Sequence, residues 1–419
     1  MRSSSALCLL LGVALSAAEP AISHQEYQQR RAALRKALPD SLIVLFGATE
    51  KDHGDVRTGF FQEANFYYLT GWAEPGAILV ISPTTDTLLI PKRNSEQEQW
   101  TGPKVAPGDA NVTAASGFES VLPVPALQTN LVRWAENVST VYTLTNSPAA
   151  DVIKKLLPLA ELRNVMMPIA RLRAKKSPAE LELIQKSTDA TVAAHFAAWK
   201  RIQPGLSEFQ VAATMSDTYF ERGCERHAYS PIVGAGPNAA VLHYFQNRRK
   251  MDAGELLLMD VGAECSMYAT DITRTVPVNG KFTDRQKELY EVVLGAQKAA
   301  IAAIKPGVML GSRSSKVGLH KIALDYIDSH GKDAKGASLG KYFIHGLGHH
   351  VGLDVHDAND PSLPLEAGMV ITIEPGVYIP EERIGIRIED VVLVTENGAK
   401  VLSSSLPREV NEIEKAMAR

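Results

Sequence analysis

The chain has 419 residues, 45% of them apolar and 22% charged. That length calls for two domains, and the composition is that of a soluble globular protein. A formal net charge of -3 gives no electrostatic footprint for nucleic acid, and past the N-terminus no apolar run approaches the ~20 residues of a membrane span.

Residues 1–18 predict an export signal. Arg2 supplies the positive start, 6–15 the apolar core, and Ser16-Ala17-Ala18 the small residues for cleavage before Glu19. The apolar run is too short to span a bilayer. Cys8 lies inside it rather than after it, against a lipid anchor. The expected location is periplasmic or secreted. After cleavage only Cys224 and Cys265 remain. Two cysteines so far apart are no disulfide framework, so free buried thiols are expected, with one bridge as the alternative in an oxidising compartment.

Residues 19–168 read as an α/β domain. A helical pattern covers 24–38, and buried strands cover 42–46, 77–82 and 87–91. Short helical and strand signals alternate from 92 to 165. Near 170–177 a run of Arg171, Arg173, Lys175 and Lys176 reads as a solvated connector. Residues 169–419 then form the second domain. Ser177, Pro178 and Glu180 make a capped helix start. This helix stops at Pro204-Gly205, and another runs from Ser207-Glu208 to before Gly223. The order recurs: Thr283 caps a helix that ends before Pro306-Gly307, and a second helical stretch follows. Such repetition hints at a duplicated half-domain. Strand patterns follow each helix pair, at 229–233, 256–262 and 271–278, then at 370–373 and 384–394. The expected class is α+β, a curved sheet backed by helices.

Within those strands sit acids that an apolar strand does not place inward unless something cationic meets them. Asp260 alone interrupts Leu256-Leu257-Leu258-Met259 and Val261-Gly262. Asp271 lies in 268–275, the expected neighbouring strand, and a tight link would let the two acids face each other. Pairing with Arg274 or a turn cap is the ordinary alternative for either acid alone. Four of the eleven histidines, His345, His349, His350 and His356, crowd a glycine-rich stretch. One or two suit ligands, and the others suit proton or substrate contacts. Glu374 ends a Val-Ile-Thr-Ile strand. In 385–390, Arg387 and Glu389 share one face, opposite Ile386 and Ile388. Asp260, Asp271, His349, Glu374 and Glu389 suit two adjacent divalent ions with two bridging carboxylates. The oxygen-rich set favours Mn2+ over Co2+, Zn2+ or Fe2+. Paired ions activate water near neutral pH and stabilise an oxyanion, so hydrolysis is the implied chemistry.

These motifs resemble the pita-bread metallopeptidases, in the aminopeptidase P (Xaa-Pro aminopeptidase) branch. In the second domain the likeness rests on 259–264, 270–275, 345–357, Glu374-Pro375-Gly376 and 385–390. In the first it rests on Phe46-Gly47, Arg57, Gln62 and 65–71. It implies a pita-bread catalytic domain preceded by a smaller creatinase/aminopeptidase P N-terminal domain. Asp260 would hold one metal and His349 the other. Asp271 and Glu389 would bridge, and Glu374 would be ligand and general base. His356 would contact the scissile carbonyl, while His243 would line the pocket and shuttle protons. His345 and Tyr229 would also line it, and Arg387 would orient the bridging acid and His356. Substrates would be peptides with proline second, and the chain would be a homo-oligomer assembled through its N-terminal domain. Two departures stand out: Met267 where relatives carry glycine, and His350 where an aromatic residue is common. A dipeptide-restricted prolidase is the nearest alternative. A non-catalytic peptide-binding module is the other, and such modules typically lose ligands that are all present here.

Overall fold

The protein is described by a computed structural model over residues 22–55 and 59–418. The expected signal at 1–18 and Arg57 lie outside those residues.

The first unit is a mixed six-stranded sheet of β1 (Ser41–Phe46), β2 (Ile78–Ile81), β3 (Asp86–Ile90), β4 (Ser120–Pro123), β5 (Thr140–Thr143) and β6 (Leu162–Asn164), in the order β4-β3-β2-β1-β5-β6. The helix and three strands read from sequence form within one residue at each end. β1 is antiparallel to β2 and parallel to β5, and it is covered on both faces. Ile43 and Leu45 join Tyr27 and Leu34 of α1 (His24–Ala37) and Phe66 and Leu69 of α2 (Ala64–Thr70). Leu42 and Val44 join Leu127, Leu131 and Ile153 in a separate core. Burial on both faces is why this strand is continuously apolar rather than alternating.

The basic run at 171–176 is not the solvated connector that its charge suggested. Helix α3 (Met166–Ala174) carries it into the protein, and Arg173 and Lys176 are only 2% and 7% exposed. Arg171 and Lys175 do face solvent. The inward pair is spaced three residues apart and meets Asp357, so burial costs little that pairing does not offset.

Helix α4 (Pro178–Arg201) starts on the Ser177–Glu180 capping box and packs on α5 (Glu208–Glu221). Thr283 likewise caps α6 (Asp284–Ala302), which packs on α7 (Leu319–His330). A three-stranded antiparallel sheet follows each helix pair. The first is β7 (Ile232–Ala235), β8 (Leu256–Val261) and β11 (Ile272–Pro277); the hairpin β9 (Ala263–Cys265) and β10 (Tyr268–Ala269) leaves it between β8 and β11. The second is β12 (Val370–Ile373), β15 (Asp390–Thr395) and β16 (Gly398–Val401), with the ribbon β13 (Gly376–Ile379) and β14 (Ile384–Arg387) beside it.

Three strand expectations need correction. The strand expected at 229–233 begins only at Ile232, because Pro231 has no N–H to pair and Asn247 caps the entry, accepting from Val233 N (3.0 Å) and donating to Pro231 O (2.9 Å). The run 268–275 breaks at Thr270-Asp271, so Asp260 lies across the ladder from Thr273 rather than from Asp271. The run 384–394 breaks at Ile388-Glu389, where the chain stops pairing with β13 and starts pairing with β12.

The cysteines are also not free thiols: Cys224 and Cys265 form a disulfide. Just past α5, Cys224 N bonds Tyr219 O (3.1 Å), which sets the cysteine against the end of β9. Between β9 and β10, Ser266 and Met267 hold φ of 51° and 72°, both central residues of a tight hairpin turn. Met267 thus adopts the backbone for which glycine is the usual choice, and its side chain packs on the core with Sδ 3.4 Å from Arg226 Nη2.

Candidate active site

The two three-stranded sheets meet at a seam, where Glu389 N donates to Thr273 O (3.1 Å) and Arg387 N to Thr275 Oγ1 (3.2 Å). All five expected ligands gather there. Asp260 is on β8. Asp271 immediately precedes β11, two residues from Asp260's cross-strand partner Thr273, so both acids share one face. Glu374 follows β12 directly, and Glu389 sits at the strand break. His349 lies on a segment that runs along β12, with Thr372 N bonding His349 O (2.8 Å) and His349 N bonding Thr372 Oγ1 (3.1 Å). That approach requires Gly348, where a Cβ would stand 2.0 Å from Thr372 O.

Asp271, His349 and Glu389 offer ligand atoms that lie within 4.8 Å of one another. His349 Nε2 is 3.5 Å from Asp271 Oδ2 and 3.6 Å from Glu374 Oε1. Its Nδ1 is 3.0 Å from His350 O. A carbonyl only accepts, so a proton is assigned to Nδ1, and Nε2 is the atom that faces the acids. The Tyr229 hydroxyl lies between Asp260 Oδ1 (2.6 Å) and Asp271 Oδ1. Glu389 Oε2 accepts from Thr273 (2.6 Å), but Glu389 Oε1 is buried with no partner among the described residues.

The electrostatics agree with that orphaned oxygen. Burial pushes the Asp271 carboxyl up, and Asp260 beside it adds to the push. Burial also raises Glu374 to about 7, against the pull of His349 and Arg387. Glu389 is held well above the usual range by burial and by Asp271, Glu374 and Asp260. Burial opposes charge on His349, yet Asp271 and Glu374 outweigh it and raise the imidazole to about 9. This is a pocket of carboxylates without enough positive charge of its own. Four acids, one imidazole and an unpartnered buried oxygen fit divalent cations.

The cluster opens into a cavity of about 400 Å³. Ile232, Leu242, Phe245 and Val355 line its apolar side, with His243 and His356 beside the acids. The His356 ring is 4.1 Å from that of His349, and exposed His243 lies 5.8 Å from Phe245. Burial, then His349 and His243, push His356 down to about 4, so it is neutral at pH 7. His345 is held neutral by burial and Arg387, with Nδ1 2.7 Å from Gly346 O and Nε2 2.8 Å from the Tyr378 hydroxyl. A cavity of similar size near Trp72 and Lys92 gathers no comparable set of donors.

Arg387 differs from expectation. Its guanidinium donates to Asp260 Oδ2, to the Tyr378 hydroxyl (2.7 Å) and to Thr273 Oγ1 (3.2 Å), in place of the bridging acid and His356. The strand alternation gave the face on which Arg387 projects, and Asp260 is the nearest acceptor on it. Thr273 and Tyr378 went unassigned in the sequence reading. Thr273 lies two after Asp271, the even spacing that finds it, whereas Tyr378 lies two after Gly376, the cross-strand partner of Arg387, which only the pairing reveals. His350 is buried behind the cluster, its Nδ1 without a partner among the described residues, and burial and Lys176 hold it down at about 4.

Two family descriptions match the chain: metallopeptidase family M24 over residues 182–396, and the aminopeptidase P N-terminal domain over 27–142. The Xaa-Pro aminopeptidase of Haemophilus influenzae is 34% identical, over 94% of this chain and 97% of that protein. Human Xaa-Pro aminopeptidase 3 is 34% identical, over 94% of this chain and 86% of its own length. Among solved structures, Escherichia coli aminopeptidase P with the inhibitor Pro-Leu superposes with a TM-score of 0.84 at 31% identity, covering 94% of this chain and 98% of that one. A zinc-substituted form of the same enzyme with product gives 0.83 at 30% identity, with the same coverage. A fold of helix-backed sheets, a metal-ready acid cluster and this likeness along nearly the whole described chain lead to one conclusion: the chain belongs to metallopeptidase family M24, in its aminopeptidase P branch, and is a metallo-exopeptidase dependent on divalent metal.

Proposed function

We propose that the chain releases the N-terminal residue from peptides with proline in second position. The observation that carries this is the acid cluster opening directly onto an apolar slot of Ile232, Leu242, Phe245 and Val355. A bond before proline is a tertiary amide with no N–H, so a site that reads only the carbonyl and packs the ring is suited to it. Asp260, Asp271, His349, Glu374 and Glu389 would hold the divalent metal. Once bound there, divalent metal would polarise the scissile carbonyl and activate water. Glu374 takes the proton at its carboxylate and returns it to the departing proline nitrogen. Neutral His356 donates toward the carbonyl, and His243 guards the mouth and exchanges protons with solvent. Arg387 and Tyr229 fix Asp260, while the Gly346 carbonyl fixes the tautomer of His345 and Tyr378 holds its Nε2. The free substrate amine is drawn to the acids.

Hydrolysis of Arg-Pro-Pro beside Gly-Pro tests the reading. Cleavage of the tripeptide supports it; cleavage of the dipeptide alone turns it into a prolidase. Metal content of wild type against Asp260→Ala separates either enzyme from a binding module, which would hold equally little metal in both.

The remaining readings are Mn2+ as the native ion, supported by the oxygen-rich donor set; domains at 19–168 and 169–419; and a homo-oligomer. Export behind a cleaved 1–18 signal is supported by the composition of that segment and by the disulfide, which suits an oxidising compartment. N-terminal sequencing of the mature protein tests cleavage, light scattering tests assembly, and activity after reconstitution with single metals tests the ion. Among the described residues no helix is long and apolar enough to cross a membrane.

A further inference from the structure

We propose that Arg173 is a positioning residue that ties the N-terminal unit to the two histidines at the metal centre; the inference rests on the peptidase reading above. Arg173 Nη1 donates to Asn65 Oδ1 of α2 (2.7 Å). Its Nη2 donates to Asp354 Oδ2 (2.7 Å) and to Asp357 Oδ1. Lys176 Nζ holds the other Asp357 oxygen (2.7 Å) and also bonds Arg173 O (2.8 Å). The side chains of Arg173, Lys176 and Asp357 are 2%, 1% and 1% exposed, so solvent does not screen the clamp.

The clamp reaches the catalytic histidines through one atom. Asp357 N donates to His350 O (2.8 Å), and the same carbonyl accepts from His349 Nδ1 (3.0 Å). Where Asp357 sits therefore decides where that carbonyl points, and the carbonyl fixes the ring that turns Nε2 toward Asp271 and Glu374. His356 directly precedes Asp357 and packs its ring on His349 at 4.1 Å. The loop closes over the clamp only because residue 352 is glycine: a Cβ there would stand 2.4 Å from Asp357 Oδ2. One guanidinium thus sits between a helix of the first unit and the loop carrying both His349 and His356. Groups that orient a metal-facing histidine from behind typically change affinity or activity 10- to 100-fold when removed.

The test uses full-length Asn65→Leu, which deletes the acceptor at similar size and leaves Asp357 paired, and Arg173→Met, which deletes the link itself. Circular dichroism verifies folding of each. For Asn65→Leu the expected result is a kcat about tenfold lower on Arg-Pro-Pro at saturating Mn2+, with KM within about twofold. The Mn2+ dissociation constant of the metal-free protein, read by calorimetry, rises in the same variant. Arg173→Met moves both quantities further in the same direction. A folded Asn65→Leu with wild-type kcat and wild-type Mn2+ affinity overturns the inference, as does a loss confined to KM. Wild type that fails to cleave Xaa-Pro peptides overturns the peptidase reading instead, and the calorimetry still reports on Arg173.

Discussion

Glu389 and Asp390 are adjacent carboxylates, 1% and 0% exposed, and the protein treats them in opposite ways. Asp390 is saturated. Arg274 (2.7 Å) and Ser403 (2.6 Å) hold one oxygen, while Gln297 (3.0 Å) and Arg408 (3.1 Å) hold the other. Burial pushes Asp390 up, but Arg274 and Arg408 outweigh it and hold the carboxyl below its ordinary range. Glu389 receives one hydroxyl on one oxygen and, among the described residues, nothing on the other, and its pKa goes up. One peptide bond separates a carboxylate that the chain neutralises for its own stability from one that it leaves for a cation to meet. Burial alone does not mark a functional acid; burial without a resident partner does.

Removing acids of the cluster has the largest expected effect. Glu374→Gln lowers kcat roughly 100- to 10,000-fold with an unchanged circular dichroism spectrum. Glu389→Gln reduces bound metal per chain by elemental analysis while the thermal midpoint holds. Loss of folding in Glu389→Gln would put Glu389 on the same footing as Asp390 and end the contrast.

Arg274→Met strikes the opposite member. It removes the buried cation from Asp390 and leaves only the more exposed Arg408, and the unfolding free energy in urea falls by about 3 kcal/mol. A stable Arg274→Met with poor activity would mean that Arg274 serves the site rather than the fold.

Next in size is His356→Ala. It lowers kcat about tenfold or more and changes metal content less, because His356 is not one of the five expected ligands. Parallel loss of metal would make it a ligand.

The smallest effect concerns Asp357, a third buried carboxylate and a paired one. Burial pushes it up, yet Lys176 and Arg173 prevail and hold it at about 2, below the ordinary 3.8. A depressed pKa stabilises the fold above about pH 3.8, and that contribution of about 2 kcal/mol is lost as pH falls through about 2. Urea melts at descending pH should show the loss in wild type and not in Asp357→Asn.

The gathering of Asp260, Asp271, His349, Glu374 and Glu389 was legible because each acid lies within or at the end of an apolar run and His349 sits among glycines needed for close approach. The strand breaks at Thr270-Asp271 and Ile388-Glu389 were not, because pattern reports which residues are buried but not where a strand changes partner. Arg173 and Lys176 were misread for a related reason: a basic run looks solvated until the acid that meets it, almost 200 residues on, is in place. The Arg387 partner and the cysteine pair likewise depend on distant segments that no local pattern encodes.

The bond between Cys224 and Cys265 has a practical consequence. It closes a loop of 41 residues around the strand bearing Asp260, and such closure raises the free energy of the unfolded chain by about 4 kcal/mol. Protein made in a reducing host and protein made in an oxidising one would share every residue yet begin refolding from different ensembles. Heat tolerance would then vary with the expression strain, and a thiol added to storage buffer would quietly change what is being assayed.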